Sequence, residues 1–307
     1  MTLERALDAD SLESLRPDID AVLGEYLAAC TTELGRIDEH APLLVDEISR
    51  LALAGGKRLR PAFCIWAYRA AAGHGEQGTT SDSKRAAPII RAAAALELLH
   101  TMALIHDDLM DAATERRGVR ASAPQLASEA LRLGFQADPA RFGDNAALLA
   151  GDLAAVLADR LFLTSGFDAQ AIVRGLVPYH AMRVDMAAGQ LLDVAGLASK
   201  PDIAMRAARL KGGSYTVEGP LMVGAAFAGG RADLREALRA FGAPLGEAFQ
   251  IRDDLLDGEA PHGATTATVN ELVAQAREAL REGTRETPLD PEASSALDAL
   301  AASVAMV

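Results

Sequence analysis

Cysteine is nearly absent: Cys30 and Cys64 are the only two in 307 residues, and neither belongs to a C-x-x-C pair. That argues against a disulfide framework or a structural zinc site, and it agrees with a reducing, cytoplasmic compartment. Aromatic residues make up only 4%. Without aromatic and β-branched runs a sheet is disfavoured, while abundant alanine and leucine favour helix. Positive charge is in deficit, with 30 Lys plus Arg against 43 Asp plus Glu and a formal net charge of −13. Such a balance is a poor footprint for nucleic acid or an anionic membrane surface, although local clusters of bases can still hold small anions. Long uninterrupted apolar runs are missing too. The stretch Leu221 to Gly230 is too short to span a bilayer, and Met1-Thr2-Leu3-Glu4-Arg5 opens no apolar segment of secretory type. A protein without stable membrane insertion is expected. Half of the residues are hydrophobic, enough for a sizeable core.

The apolar spacing predicts helices over 11–32 (with Pro17 near its true start), 43–54 and from Pro61 to just before Gly73. A glycine- and serine-rich connector, 74–83, precedes a long apolar helix over roughly 86–111, which has no glycine or proline from Ile89 onward. A basic, polar turn follows. Further helices are expected near 146–165, 168–195, 201–228, 234–257, 268–282 and 291–306. No repeat or composition break marks a boundary, so the expectation is one all-α domain over 1–307, a single large helical bundle.

The sharpest local signal is Leu104-Ile105-His106-Asp107-Asp108-Leu109-Met110-Asp111. Asp107 and Asp111 lie four residues apart, which puts both carboxylates on one helix face about 6 Å apart along the axis, with Asp108 close by. Three carboxylates at a helix C-terminus repel one another and oppose the helix dipole. Solvation at a helix end would account for one such group. A second station weakens that account, because Phe249-Gln250-Ile251-Arg252-Asp253-Asp254-Leu255-Leu256-Asp257 repeats the arrangement with Asp253 and Asp257 sharing a face. Magnesium prefers hard oxygen ligands and binds through a few carboxylates plus substrate phosphates. Two acidic walls facing each other would suit cations clamping a diphosphate.

Basic residues supply the complement. Lys57, Arg58 and Arg60 follow the Gly55-Gly56 break at a helix entrance, where positive charge opposes the dipole unless an anion binds there. Arg116 and Arg117 follow the first station closely. Surface solvation explains each base singly. Their recurrence beside chain breaks fits phosphate recognition, in which arginine binds bidentately and lysine acts as a movable point charge.

Taken together, Gly55-Gly56-Lys57-Arg58-Leu59-Arg60-Pro61, His106-Asp107-Asp108-Leu109-Met110-Asp111, Arg116-Arg117-Gly118, the region around Lys211 and the second station resemble the trans-type polyprenyl synthase (isoprenyl diphosphate synthase) family. The resemblance runs from Leu51 to Asp257, about two thirds of the chain. It implies the helical fold of the isoprenoid synthase type with a central cavity, and a homodimer. It also implies a prenyltransferase that condenses isopentenyl diphosphate with an allylic prenyl diphosphate, using magnesium, about three ions in the closed substrate complex. In that frame Lys57, Arg60, His100 and Arg117 correspond to the isopentenyl diphosphate pocket. Asp107, Asp108 and Asp111 correspond to the first metal wall, and Asp253, Asp254 and Asp257 to the second. Arg116 and Lys211 correspond to contacts with the allylic diphosphate, and Gln190, Thr216 and Gln250 to further pocket residues.

The implied chemistry is ionisation of the allylic diphosphate, attack by isopentenyl diphosphate and loss of a proton, the released diphosphate being its usual acceptor. Met102 and Ala103, the fifth and fourth residues before Asp107, are not aromatic, and Leu99 lies a turn deeper; this matches a geranylgeranyl-length product, although core packing explains the three residues equally well. The pattern departs after Asp257. The family continues with a glycine-lysine loop, whereas this chain runs Gly258-Glu259-Ala260-Pro261-His262-Gly263-Ala264 and has no lysine after Lys211. A loop missing from the chain as given, a deletion or a natural absence would each leave this sequence. Two other functions compete: a noncatalytic helical partner subunit, and a terpene cyclase-like enzyme, for which two basic sets would be superfluous.

Overall fold

The computed structural model describes residues 14–72, 88–116, 118–197, 201–258 and 264–305. It is almost entirely helical, as expected. These residues fall into two compact units, one holding Pro17–Lys57 and Ile90–Ser165, the other holding Arg58–Ile89 and the chain from Gly166 onward.

The first unit contains α1 (Arg16–Gly35), α2 (Pro42–Ala52) and most of α4 (Pro88–Met110), followed by a two-stranded hairpin, β1 (Glu115–Arg116) and β2 (Val119–Arg120), then α5 (Ser122–Leu133) and α6 (Pro139–Leu163). In α2 the buried residues Val45, Glu47, Ile48 and Ala52 recur at helical spacing, and this face packs on α6. α4 is apolar all round, and Ala92, Ala93, Ala94, Ala95, Leu96 and Leu99 are all buried. By length and composition α4 would cross a membrane, yet 72% of its most apolar window is buried inside the protein, the signature of a core helix. α5 packs on α6 where Gly143 meets the carbonyl of Ala123, a contact with no room for a Cβ. Asp138 caps α6 by accepting from the Arg141 amide at 2.9 Å, and Pro139 opens the helix.

The second unit contains α3 (Leu59–Ala72), α7 (Ala169–Val194), α8 (Pro201–Ala208), a π-helical segment (Arg209–Glu218), α9 (Gly219–Phe227), α10 (Ala232–Asp257), α11 (Thr266–Gly283) and α12 (Pro291–Ala305). α9 packs on α3 and α7, and α10 packs on the π segment and on α11. The capping box of Thr265 and Thr268 opens α11.

Most predicted helices lie within a few residues of their expected bounds. The connector 74–83 falls outside the described residues, as does 259–263 of the departure after Asp257. Two expectations need correction. The basic turn after the first station is a hairpin followed by α5, and α6 begins at Pro139, earlier than 146. The single helix expected over 201–228 is three pieces. Pro220 has no amide to donate and Gly212-Gly213 is a poor helix former, so the hydrogen-bond ladder widens to π before α9 restarts.

Candidate active site

The first station occupies the last turn of α4. The Asp111 amide donates to the Asp107 carbonyl at 2.9 Å, so the i, i+4 relation of the two residues holds to the helix end. The helix ends at Met110, and the chain turns away at Ala112, whose φ of 49° is left-handed. β1 then returns Arg116 to the station: its Nε donates to Asp108 Oδ1 at 2.6 Å and its Nη2 to Asp107 Oδ2 at 3.0 Å. Asp108 is only 4% exposed, and its Oδ2 is buried without a hydrogen-bond partner. Burial pushes its carboxyl up; Arg116 pulls it down, and Asp107 and Asp111 push it up again, leaving it raised. Arg50, paired with buried Glu47 at 2.6 Å, donates to the Arg120 carbonyl at 3.1 Å and so steadies the hairpin that presents Arg116. His100 lies further back on α4, half-buried. Lys57 is exposed in the loop where Gly55 and Gly56 take φ of 101° and 134°. Arg117 lies outside the described residues.

The second station ends α10, which the left-handed Gly258 terminates. Arg252, 5% exposed, donates to Asp253 Oδ1 at 2.6 Å, and its guanidinium sits 4.7 Å above the Phe249 ring. Gln250 Nε2 donates to Asp254 Oδ1 at 2.7 Å. Asp257 is the last residue of the helix. The π segment packs directly against this end of α10: a Cβ on Gly212 would fall 1.7 Å from Gln250 Oε1. Within it, Lys211 Nζ lies 2.8 Å from Asp193 Oδ2, three residues after Gln190 on α7. Thr216 accepts from Arg60 Nη2 at 2.8 Å, and the same guanidinium lies 4.7 Å from the centre of the Tyr215 ring.

The second unit therefore draws Arg60, Lys211, Thr216, Gln250 and Asp254 onto the π segment and its neighbours. The first gathers Asp107, Asp108, Asp111 and Arg116 on one helix end. Sequence reasoning missed the partners Asp193 and Arg252, although both stand within three residues of a chosen residue. Among the described residues no group of three metal-ligating side chains is preassembled. Carboxylates at one helix end, with a buried oxygen lacking a hydrogen-bond partner, nonetheless fit magnesium, which takes one or two carboxylates and completes its shell with water and substrate phosphate.

Comparison with known proteins fixes the kinship. The model of the polyprenyl synthetase family matches residues 42–268. The chain belongs to that family. It is 31% identical over 229 residues to the nonaprenyl diphosphate synthase of Mycobacterium tuberculosis, a match covering 74% of this chain and 58% of that protein. It is 30% identical over 226 residues to a chloroplastic geranylgeranyl pyrophosphate synthase of Arabidopsis thaliana, covering 70% of this chain and 56% of that one. The match thus spans little more than half the length of these relatives. Among solved structures, the geranylgeranyl pyrophosphate synthase of Corynebacterium glutamicum, complexed with isoprenyl diphosphate and magnesium, aligns with a TM-score of 0.83 at 26% identity, covering 96% of this chain and 99% of that one. The fold is that of the isoprenoid synthases.

Proposed function

We propose that this polyprenyl synthetase condenses isopentenyl diphosphate with an allylic prenyl diphosphate, with magnesium, and releases diphosphate and a longer trans-prenyl diphosphate of geranylgeranyl length. The observation that carries this reading is the pair of aspartate stations, each ending a helix and each with an arginine against its first carboxylate. Asp107, Asp108 and Asp111 of the first station, and Asp253, Asp254 and Asp257 of the second, would hold magnesium, about three ions. Bound there, the metal supplies Lewis-acid stabilisation of the leaving diphosphate.

The chain's own residues do the rest. Arg116 and Lys211 transfer their hydrogen bonds from carboxylates to the allylic diphosphate as its carbon–oxygen bond breaks. Lys57, Arg60, His100 and Arg117 hold isopentenyl diphosphate, while Gln190, Thr216 and Gln250 line the pocket. The double bond of isopentenyl diphosphate attacks the allylic carbon, a carbon–carbon bond forms, and the departing proton goes to the released diphosphate. The apolar wall of α4 excludes water from the cation. Met102, Ala103 and Leu99 leave the chain path without an aromatic block.

The working form is a homodimer. α7 supports this, because Val173, Val177, Val184 and Leu191 are each more than 60% exposed and lie along one face of a 26-residue helix. The cytoplasm suits two buried, free cysteines. One feature favours a second reading, a noncatalytic partner subunit: the eight residues between α10 and α11 contain no lysine or arginine. Purified protein incubated with magnesium, isopentenyl diphosphate and C5, C10 or C15 allylic diphosphates separates the two. Product masses give activity and chain length together; no product from any starter, beside a working control synthase, would leave the partner-subunit reading.

A further inference from the structure

His106 immediately precedes Asp107, yet its ring is committed to another helix. In the first unit its distal end lies against α6 at Gly151: a Cβ there would fall 2.1 Å from Nε2 and 2.3 Å from Cδ2. Nε2 stands 3.3 Å from the Leu148 carbonyl and 3.9 Å from Asp152 Oδ1. Since a carbonyl only accepts, the ring carries its proton on Nε2 when that bond forms. Gly151 sits in the interior of a 25-residue helix and has no left-handed φ to explain it. Glycine is unfavourable in a helix interior relative to alanine, so clearance for the imidazole is the physical reason for it there.

We propose that His106 is a positioning residue, which by seating over Gly151 and donating to the Leu148 carbonyl sets the roll of the last turn of α4 and so aims Asp107 and Asp111 at magnesium-bound diphosphate. Successive helical residues step by about 100°, so an anchor at 106 fixes the azimuth of 107 and, one turn on, of 111. Arg116 also touches Asp107, but through a long side chain that the proposed reaction calls to the diphosphate. The imidazole, with two torsions and a backbone partner, is the stiffer constraint. This inference rests on the diphosphate reading of the first station.

The test is the magnesium concentration giving half of the melting-temperature rise produced by magnesium with inorganic diphosphate, a readout independent of turnover. His106→Ala and Gly151→Ala should each raise it roughly 10-fold, the range seen when groups that orient metal ligands are lost. His106→Gln, whose amide nitrogen reaches about the place of Nε2, should stay close to the parent. Gly151→Ala combined with His106→Ala should be no worse than His106→Ala alone, because the added methyl acts only through the ring. Alanine at 151 improves helix propensity, so a weakened magnesium response there is not helix weakening. Parental magnesium dependence in His106→Ala overturns the proposal whatever its melting temperature. Should that variant not fold, parental dependence in Gly151→Ala overturns it equally. A parent protein with no magnesium-dependent rise refutes the diphosphate reading itself and the inference with it, and that failure shows in the parent before any variant is made.

Discussion

Replacing Asp107 by alanine separates a metal ligand from a solvated helix end, because the two roles predict opposite balances of activity and stability. Asp107 is 23% exposed and paired with Arg116 at 3.0 Å. Losing one arm of this half-buried pair, with Arg116 still held by Asp108, costs about 1 kcal/mol, the upper end of the range for surface pairs. Removing an anion from a helix C-terminus returns about 0.3–1 kcal/mol, and repulsion from Asp108 and Asp111 falls as well. The two contributions nearly cancel, so the melting temperature without magnesium should move by no more than about 3 °C. Catalysis should respond otherwise. A lost electrostatic contact to charge developing in the transition state costs about 2.7–4 kcal/mol, or roughly 100- to 1000-fold in turnover. Steady-state condensation, starter ionisation and thermal melting, measured on parent, Asp107→Ala and Asp253→Ala, give the comparison. An Asp107→Ala protein that melts like the parent and turns over at the parent rate would refute the first-wall assignment. One that loses activity only in proportion to lost fold would refute the reasoning about stability.

Gly212→Ala should displace Gln250 from its hydrogen bond with Asp254, because a Cβ at 212 has only 1.7 Å to the Gln250 amide oxygen; a destabilisation of about 1–3 kcal/mol in urea melts is expected, and an unchanged midpoint would refute the close packing of the π segment on α10. Glu218 has its carboxyl pushed up by burial, with Arg239 and Arg209 opposing and Asp185 adding to the rise. A raised folded-state value means that the ionised form is the unfavourable one, so Glu218→Gln should melt above the parent at pH 7, with the gap closing as pH falls toward the usual carboxylate range; a gap that widens on acidification would reverse the sign. Val184→Glu places a charge in the middle of the exposed α7 stripe, where Val184 is 68% exposed. Sedimentation should then report a monomer in place of a dimer, and a parent that sediments as a monomer would refute the interface.

What the sequence made legible follows from how strongly each feature is over-determined. α4 is apolar all round and ends in three aspartates, so period, length and terminus agree, and its bounds differ from the expectation by only a few residues. The Gly55-Gly56 break is equally plain, since both residues take φ values that side chains resist. α5 was illegible for the opposite reason: only Ser122, Leu126 and Ala130 are buried, a stripe too narrow to stand out beside a basic hairpin. The π segment is not legible because apolar spacing continues through 201–228 as one helix, and nothing in it marks Gly212 and Gly213 as clearances for Gln250 and for the backbone at Gly246. The site divides in the same way. Spacing identifies which carboxylates share a face, but it leaves acids and bases as separate sets, one for metal and one for phosphate. The structure pairs them: Arg116 with Asp107 and Asp108, Lys211 with Asp193, Arg252 with Asp253. Electrostatics requires it, because a helix end carrying three carboxylates against the dipole needs counter-charge when neither metal nor diphosphate is there. Under the proposed reaction, metal takes Asp107 and Asp108 and diphosphate takes Arg116, so binding at the first station is an exchange of partners among groups already paired. Such an exchange keeps each charge compensated before and after binding, and it ties metal affinity to diphosphate affinity: neither partner can be withdrawn from a pair without leaving the other exposed to repulsion.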